Sequence, residues 1–203
     1  MHCLACVALS LYAEAVALNP SEAVLSDILH RAQVEGALGA RPIAEVLAHA
    51  RGFVDALETD VSSVLDLGSG AGVPGLVIAL DRPLIRVTLL DRRTTRVDAL
   101  RRAVTALGWT DRVHAVEADA EQLSNDPSQQ GSYDAVVARG FAEPMATLRI
   151  AARLARVGGW VVISEPPPEQ GSRWETEWVR SFGLSAPERC GPVVRFHVEQ
   201  AGT

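Results

Sequence analysis

The chain has 203 residues, a length that predicts one α/β domain with enough buried surface to fold without disulfides or a metal. Hydrophobic residues make up 48% and charged residues 22% of it, which excludes wholesale disorder, and the absence of any run of about 18 apolar residues argues against a membrane-spanning helix. The formal net charge of −6 argues against nonspecific coating of nucleic acid, although residues 86–112 carry a local excess of arginine.

The N-terminal part of the chain predicts helices. Cys3 and Cys6 have the spacing of a CxxC motif, but no second ligand pair accompanies them, so we interpret them as apolar residues of an N-terminal helix. The same segment lacks a positively charged start and a cleavage site, which argues against a signal peptide, and the sparse cysteines fit a reducing cytoplasm. Ser21 is placed to cap the next helix, and another apolar stripe begins after Pro42.

From Val61 onward, short apolar runs alternate with amphipathic segments. Strands alternating with helices of about 10–14 residues predict βαβ units with right-handed crossovers. The predicted class is therefore α/β, a Rossmann-like fold with a mostly parallel central sheet, in which a helical extension over 1–60 packs on the sheet domain over 61–203. The predicted strands are 61–67, 86–90, 113–116, 133–138, 160–163 and 192–198; helices start at 74 and cover 94–107, 144–155 and 172–182; loops cover 122–132 and 165–171.

Three glycines at alternate positions, Gly68, Gly70 and Gly72, follow the first of these strands. Such a turn lets a ligand approach the backbone at the carboxyl edge of a parallel sheet, where ligands bind. A dinucleotide motif G-x-G-x-x-G starting at Gly68 fails because its sixth position is Val73, and the register from Gly70 begins two residues late. The G-x-G-x-G spacing after Asp66 instead favours an S-adenosylmethionine-dependent methyltransferase, with a dinucleotide enzyme and a loop without a ligand as the alternatives.

Acidic residues end three successive predicted strands: Asp66, Asp91 and Asp119. Because parallel strands bring their carboxyl ends to one edge of a sheet, we expect these side chains to lie around one site. Asp91 is placed to accept hydrogen bonds from both ribose hydroxyls of the donor, and Asp119 from its adenine amino group. The three acids are more specific than the glycines alone, and together they predict a methyl-donor site.

The segment over 66–75 reads DLGSGAGVPG and resembles the D-I-G-S-G-A-G-x-P-G signature of the bacterial small-subunit ribosomal RNA guanine-N7 methyltransferases, the glucose-inhibited division protein B family. The family's S-R-A after the fourth strand stands here as A-R-G, with Arg139 at its centre. The resemblance covers roughly residues 40–165 and implies a Rossmann-like fold, S-adenosylmethionine as the methyl donor and guanine N7 of 16S ribosomal RNA as the acceptor. The donor-binding set that it implies, together with the strand-end acids, is Asp66, Gly68, Ser69, Gly70, Gly72, Pro74, Asp91, Arg92, Asp119, Ala120 and Arg139.

The sequence departs from the family pattern on the acceptor side. Thr95 stands where the family has a lysine, although the adjacent Arg96 is retained, and Glu165 replaces a lysine after the fifth strand. Only the A-L-N of residues 17–19 remains of the family's N-terminal asparagine-leucine-threonine stretch. The alternatives are therefore a diverged methyltransferase that acts on another RNA or on a small molecule, and a donor-binding module without activity.

Arg139 is the predicted catalytic and acceptor-binding residue, because a guanidinium beside the donor can hold a phosphate or guanine O6; a salt bridge with Glu143 is the alternative. Phe141 is predicted to stack on an extruded base, with packing in the core as the alternative. Arg96 is predicted to contact an RNA phosphate, with a solvent-exposed helix face as the alternative. Guanine N7 has no proton to lose, so no general base is expected, and the histidines show no metal spacing.

These features predict ribosomal RNA or the 30S subunit as the partner, with a small-molecule substrate as the alternative. The product of the donor would be S-adenosylhomocysteine. We expect a cytoplasmic monomer with no metal and no membrane contact.

Overall fold

The computed structural model describes residues 19–171 and 173–200, so the predictions made for Cys3, Cys6 and the signal peptide lie outside the described residues. The helices of the described chain are α1 (Pro20–Val34), α2 (Ile43–Asp55), α3 (Gly75–Asp81), α4 (Thr94–Leu107), α5 (Ala120–Asn125), α6 (Pro144–Leu154) and α7 (Thr176–Ser181), with a short 3-10 helix at Pro168–Gln170. The strands are β1 (Ser63–Leu67), β2 (Arg86–Asp91), β3 (Val113–Glu117), β4 (Tyr133–Ala138), β5 (Ala155–Ser164), β6 (Glu188–Cys190) and β7 (Val193–His197). Across these described ranges, none of the helices is long and apolar enough to span a membrane.

The strands form one sheet in the order β3-β2-β1-β4-β5-β7-β6. β1 to β5 are parallel, β7 runs antiparallel to β5, and β6 runs antiparallel to β7, so the predicted mostly parallel sheet is confirmed. The chain runs outward from β1 to β3 and returns to β4 on the other side of β1, which makes the β1–β4 boundary the switch point where such sheets bind ligands. Leu67 pairs in register with both Leu90 and Ala138, so β1, β2 and β4 end along one line.

Hydrophobic layers cover both faces of this sheet. Successive residues of β1 alternate between them, because side chains along a strand point to opposite faces. Val64 lies in the layer beneath α1 to α4, and Leu65 lies in the layer beneath α5 to α7. Leu25 of α1 and Phe53 of α2 are fully buried in the first layer, so these helices share the core of the sheet.

Arg51 of α2 joins the N-terminal helices to the sheet domain. Its guanidinium lies 2.9 Å from the carboxylate of Glu22 in α1 and 3.0 Å from that of Asp81 in α3. The contact supports a helical extension that packs on the core. The division into 1–60 and 61–203 itself stays a prediction.

The start of α1 differs from the expected one. Asn19 caps this helix, since its Oδ1 accepts a hydrogen bond from the Ser21 N–H at 3.1 Å. The prediction of Ser21 as the cap is wrong because Pro20 already occupies the first helical turn, where its missing N–H costs nothing.

β5 begins earlier than the predicted strand. Tyr133 of β4 pairs with Ala155, whereas Ala135 pairs with Trp160, so β5 bulges between these two pairs. The glycines at 158–159, which read as a turn before the strand, lie inside this bulge. β6 was not predicted, because its three residues are too few to show alternation.

Asp134, near the start of β4, connects β4 to β1 and β5. Its Oδ2 accepts hydrogen bonds from the N–H groups of Ser62 and Ser63, both at 2.9 Å, and its Oδ1 accepts one from Arg156 at 2.6 Å. Burial opposes ionisation, but these bonds hold the pKa of Asp134 well below its usual range. The carboxylate therefore stabilises the fold above about pH 4, and this contribution is lost as the pH falls toward the lowered pKa.

We expect Asp134→Asn to lower the free energy of unfolding by roughly 1–3 kcal/mol at pH 7, the low end being favoured because Arg156 is partly exposed and screened. At pH 3 the loss is expected to be smaller, since part of the stabilisation by the carboxylate is then already gone. Urea unfolding at the two pH values, with the exposed Asp60→Asn as the control, checks this. Equal losses at both pH values would contradict it.

Candidate functional site

The glycine turn between β1 and α3 is held by hydrogen bonds to β2. The Ser69 N–H donates to the Leu90 carbonyl at 2.8 Å, and the Gly70 N–H donates to Asp91 Oδ2 at 3.1 Å. Gly70 has a φ of +55°, a left-handed conformation that favours glycine. The conformation of the turn is thus set by contacts within the chain.

Asp66, at the end of β1, is buried behind this turn. Its Oδ2 accepts a hydrogen bond from the Gly75 N–H at 3.0 Å, whereas its Oδ1 has no hydrogen-bond partner among the described residues. Burial raises the pKa of Asp66 to about 6, although the Gly75 bond and the Arg139 charge oppose the shift. A buried carboxylate oxygen without a partner fits a ligand that brings positive charge, as the ammonium and sulfonium groups of S-adenosylmethionine do.

A cavity of about 530 Å³, here named the donor cavity, opens beside the turn at the carboxyl ends of the strands. Five of the predicted donor-binding residues line it: Gly68, Asp91, Arg92, Asp119 and Ala120. Four others are buried in the turn or next to it: Asp66, Ser69, Gly72 and Pro74.

Asp91, at the end of β2, is only 4% exposed. Its Oδ2 binds the Gly70 N–H, and its Oδ1 accepts a hydrogen bond from the Arg93 N–H at 3.0 Å. Burial opposes ionisation, but the bonds from Arg93 and Gly70 keep the pKa of Asp91 below its ordinary value. The carboxylate is therefore an ionised acceptor at neutral pH. The Arg93 side chain also donates to both of its oxygens, at 3.3 and 3.4 Å, so two ribose hydroxyls would take the place of these longer bonds.

Asp119 caps α5, since its Oδ1 accepts hydrogen bonds from the N–H groups of Glu121 and Gln122 at 2.9 and 3.1 Å. α5 includes the first residues of the segment 122–132, for which we predicted a polar loop. The prediction is wrong there because Asp119 supplies the cap that this six-residue helix needs. Its role toward adenine stays a prediction, supported by its position on the donor cavity.

Phe141 lies against the glycine turn. A Cβ placed on Gly68, whose φ is +65°, would come within 2.7 Å of Phe141 Cδ2, so the ring covers the turn. The half-buried ring also packs against the core layer beneath α5 to α7. Phe141 is thus a wall of the donor cavity, and its stacking on an RNA base stays a prediction.

Arg139 follows β4 and lines a second cavity, of about 240 Å³, together with Arg41, His49 and Ser164. We name it the arginine cavity. Arg139 is half-buried, and among the described residues no carboxylate lies within ion-pair distance of it. The alternative of a salt bridge with Glu143 is therefore not observed.

Arg96 lies away from both cavities, on a third one of about 140 Å³ between α1 and α4. Its guanidinium donates to the Gly36 carbonyl at 3.3 Å, and the nearby Arg101 pairs with Asp98 at 3.2 Å. Contact of the arginines of α4 with RNA stays a prediction. Within residues 19–171 and 173–200, no three His, Cys, Asp or Glu side chains cluster as metal ligands would.

Glu165, which replaces a family lysine, lines neither the donor cavity nor the arginine cavity. Its side chain is 2% exposed, and its Oε2 accepts hydrogen bonds from Trp174 Nε1 at 2.7 Å and Arg173 Nε at 3.3 Å. Arg173 also donates to the Ser164 carbonyl. Trp174 precedes α7, so the start of the helix predicted over 172–182 is wrong, although the rings of Trp174 and Trp178 are 5.9 Å apart. The anion at 165 is thus used within the fold.

Arg41 and His49 were missed as site residues by sequence reasoning. His49 lies among the apolar positions of α2, where a single histidine is usually a core residue. Arg41 belongs to a short connection that matches no motif. What identifies them is that they line the same cavity as Arg139, which lies about 90 residues further along the chain.

Comparison with known proteins agrees with this geometry. A family model described as rRNA small subunit methyltransferase G matches residues 29–175. A ribosomal RNA small subunit methyltransferase G from Deinococcus radiodurans is 38% identical over 129 residues, covering 60% of this chain and 49% of that protein. The protein of the same name from Thermotoga neapolitana is 35% identical over 145 residues, covering 66% and 62%.

A solved structure of an O-methyltransferase family protein from Burkholderia thailandensis has a TM-score of 0.55 at 20% identity, over 77% of this chain and 57% of that one, and shows the shared fold. The chain spans about half the length of the first curated relatives it matches. The family match nevertheless covers more than two thirds of the chain and includes both cavities. The chain therefore belongs to the rRNA small subunit methyltransferase G family.

Proposed function

We propose that the protein is an S-adenosylmethionine-dependent methyltransferase that acts on guanine N7 of small-subunit ribosomal RNA. The observation that carries the proposal is the donor cavity, where Asp91 and Asp119 lie at neighbouring strand ends beside the glycine turn. Arg139 is adjacent, at the end of β4. The names of the Deinococcus and Thermotoga relatives support the ribosomal acceptor.

On the donor side of the reaction, the residues of the chain only bind S-adenosylmethionine. Asp91 would accept hydrogen bonds from the ribose hydroxyls, Asp119 from the adenine amino group, and Asp66 would face positive charge. Bound there, S-adenosylmethionine supplies an electrophilic methyl group, whose loss leaves the neutral thioether of S-adenosylhomocysteine. Because the leaving group is neutral, no residue of the chain has to protonate it.

The acceptor side needs no base. Guanine N7 already carries a lone pair and has no proton to lose. The residues therefore act by position, and holding the reacting atoms about 3–3.5 Å apart is worth on the order of 7–11 kcal/mol. Arg139 is suited to this, since a guanidinium can hold a phosphate in a fixed orientation.

We expect donor affinity to rise with pH through about 6, the pKa of Asp66. Below it the buried carboxyl is neutral, and above it the carboxylate attracts a cationic ligand, with Arg139 and Asp91 as the charged groups that face it. Calorimetric titration with S-adenosylmethionine should show roughly three- to tenfold weaker binding at pH 5.5 than at pH 7.5. Asp66→Asn should flatten this profile, and the exposed Asp111→Asn should not. A steep profile that persists in Asp66→Asn would assign the titration to another group.

A small-molecule acceptor is the second candidate. It is favoured by Thr95, an exposed neutral residue at a family lysine position. A steep dependence of acceptor binding on salt would argue for RNA, because phosphate contacts release counterions. With a ribosomal acceptor, we further propose a monomer that works in the cytoplasm.

The test is transfer of labelled methyl groups from S-adenosylmethionine to 30S particles and ribosomal RNA that lack the N7 mark. Label that digestion recovers as 7-methylguanosine would support the proposal. Absence of label, with donor binding measured in the same sample, would refute the ribosomal acceptor. Absence of donor binding would refute the methyltransferase itself.

A further inference from the structure

The arginine cavity lies between α2, the connection that precedes it, and the carboxyl ends of β4 and β5. Consecutive residues after β4 border the two main cavities: Arg139 lines the arginine cavity, while Gly140 and Phe141 line the donor cavity. The charge of Arg139 also acts on Asp66, behind the donor turn. The arginine cavity is therefore next to the donor site, on the side that faces the N-terminal helices.

Two cations in this cavity have no counterion in the part of the chain that the structure describes. Among the described residues, neither Arg41 nor Arg139 has a carboxylate within ion-pair distance, and the charge of Arg41 opposes that of Arg139. Glu45 lies on the lining but pairs with neither. Like charges held close together, with no acid paired to either of them, favour an anionic ligand. Guanidinium groups match the geometry of phosphate oxygens in particular.

His49 contributes a buried polar atom to the same cavity. Its Nδ1 has no hydrogen-bond partner among the described residues. Burial lowers the pKa of His49, and the charges of Arg139 and Arg41 lower it further, so the ring is neutral at pH 7. A neutral imidazole offers one donor and one acceptor, which suits the edge of a nucleobase.

The chemistry of the proposed reaction explains this division between charged and neutral groups. The N7 lone pair forms the new N–C bond while the C–S bond breaks with its electron pair going to sulfur. The positive charge thus moves from the sulfonium to the guanine ring, and no proton is transferred. A cation against that ring would oppose the charge that develops on it, whereas a neutral donor to O6 would not.

We infer that the arginine cavity receives the acceptor nucleotide, with Arg41 and Arg139 on its phosphate and the His49 imidazole on the edge of its base. The inference rests on the proposed function for the choice of a guanosine in RNA. It adds Arg41 and His49, from the N-terminal helices and the connection between them, to the acceptor-binding residues. These helices therefore form part of the acceptor site as well as of the core.

The first test measures binding of unmodified 16S ribosomal RNA transcript across a range of salt concentrations. Arg41→Ala should weaken binding about five- to tenfold and reduce the salt slope by about one phosphate contact. Arg86→Ala is the matched control, since it removes the same charge from the exposed amino end of β2. Donor affinity should be unchanged in both variants. Equal weakening of RNA binding in the two variants would overturn the inference.

The second test uses guanosine 5′-monophosphate with S-adenosylhomocysteine, and needs no turnover. The nucleotide should shift the ring resonances of His49, identified by their loss in His49→Gln, with His114→Gln as the control. Arg41→Ala should abolish the shift at the same nucleotide concentration. No shift of His49 in the unchanged protein would overturn the inference. A His49 shift here, together with no 7-methylguanosine in the transfer assay with S-adenosylmethionine, would keep this site and refute the proposed reaction.

Discussion

Replacing Arg139 by alanine is expected to lower the rate of methyl transfer by about 10²–10³-fold, the usual cost of removing one preorganised donor from an active site. Donor affinity should stay within about threefold, because the hydrogen bonds that shape the donor cavity come from Asp91 and the turn. Arg139→Lys should recover only part of the rate, since an ammonium keeps the charge but loses the planar fork. Single-turnover transfer to 30S particles and calorimetry with S-adenosylhomocysteine measure the two quantities separately.

The outcome depends on where Arg139 acts. If transfer and donor affinity fall by the same factor, Arg139 supports the fold through Asp66 rather than holding the acceptor. A thermal unfolding midpoint close to that of the unchanged protein would exclude a general structural defect. Arg86→Ala again serves as the control for removal of one positive charge.

Asp91→Ala is expected to have the largest effect on donor binding. The ribose hydroxyls would lose an ionised acceptor, and the Gly70 N–H would lose the bond that holds the turn to β2. Loss of hydrogen bonds to a charged group costs about 1.5–3 kcal/mol each, so the dissociation constant should rise by roughly 10–150-fold or more. Asp91→Asn, which keeps one carbonyl oxygen, should lose less.

Calorimetric titration with S-adenosylhomocysteine measures this effect, and Asp98→Ala on α4 is the control. Asp98 also pairs with an arginine, but it lies away from the donor cavity. An affinity for Asp91→Ala equal to that of the control would remove Asp91 from the donor site. The assignment of the 530 Å³ cavity would then fail with it.

The donor side could be predicted from the sequence because its signals are local. Strands and helices around it have strong periodicity, and α4 and β4 have the predicted bounds of 94–107 and 133–138. The glycine spacing and the strand-end acids lie within 54 residues of one another, from Asp66 to Asp119. Parallel register alone is enough to bring Asp91 beside the turn.

The acceptor side could not be predicted in the same way, because long-range packing creates it. Arg41 and His49 reach Arg139 only once α2 has packed on the sheet. Glu165 read as a charge lost from the acceptor site, yet Trp174 and Arg173 take up its carboxylate, which no spacing in the sequence indicates. The residue type at a motif position therefore predicted the strand or loop on which the side chain lies. It did not predict which side chains it contacts.

The bonds from Ser69 and Gly70 to β2 have a thermodynamic consequence for ligand affinity. A flexible glycine-rich loop would lose conformational entropy when a ligand orders it, at roughly 1–2 kcal/mol per residue. Here that loss is incurred when the chain folds, so little ordering remains to oppose association. Folding stability and donor affinity are thus linked through the amide hydrogens of Ser69 and Gly70. These amides should exchange slowly with solvent even in the free protein.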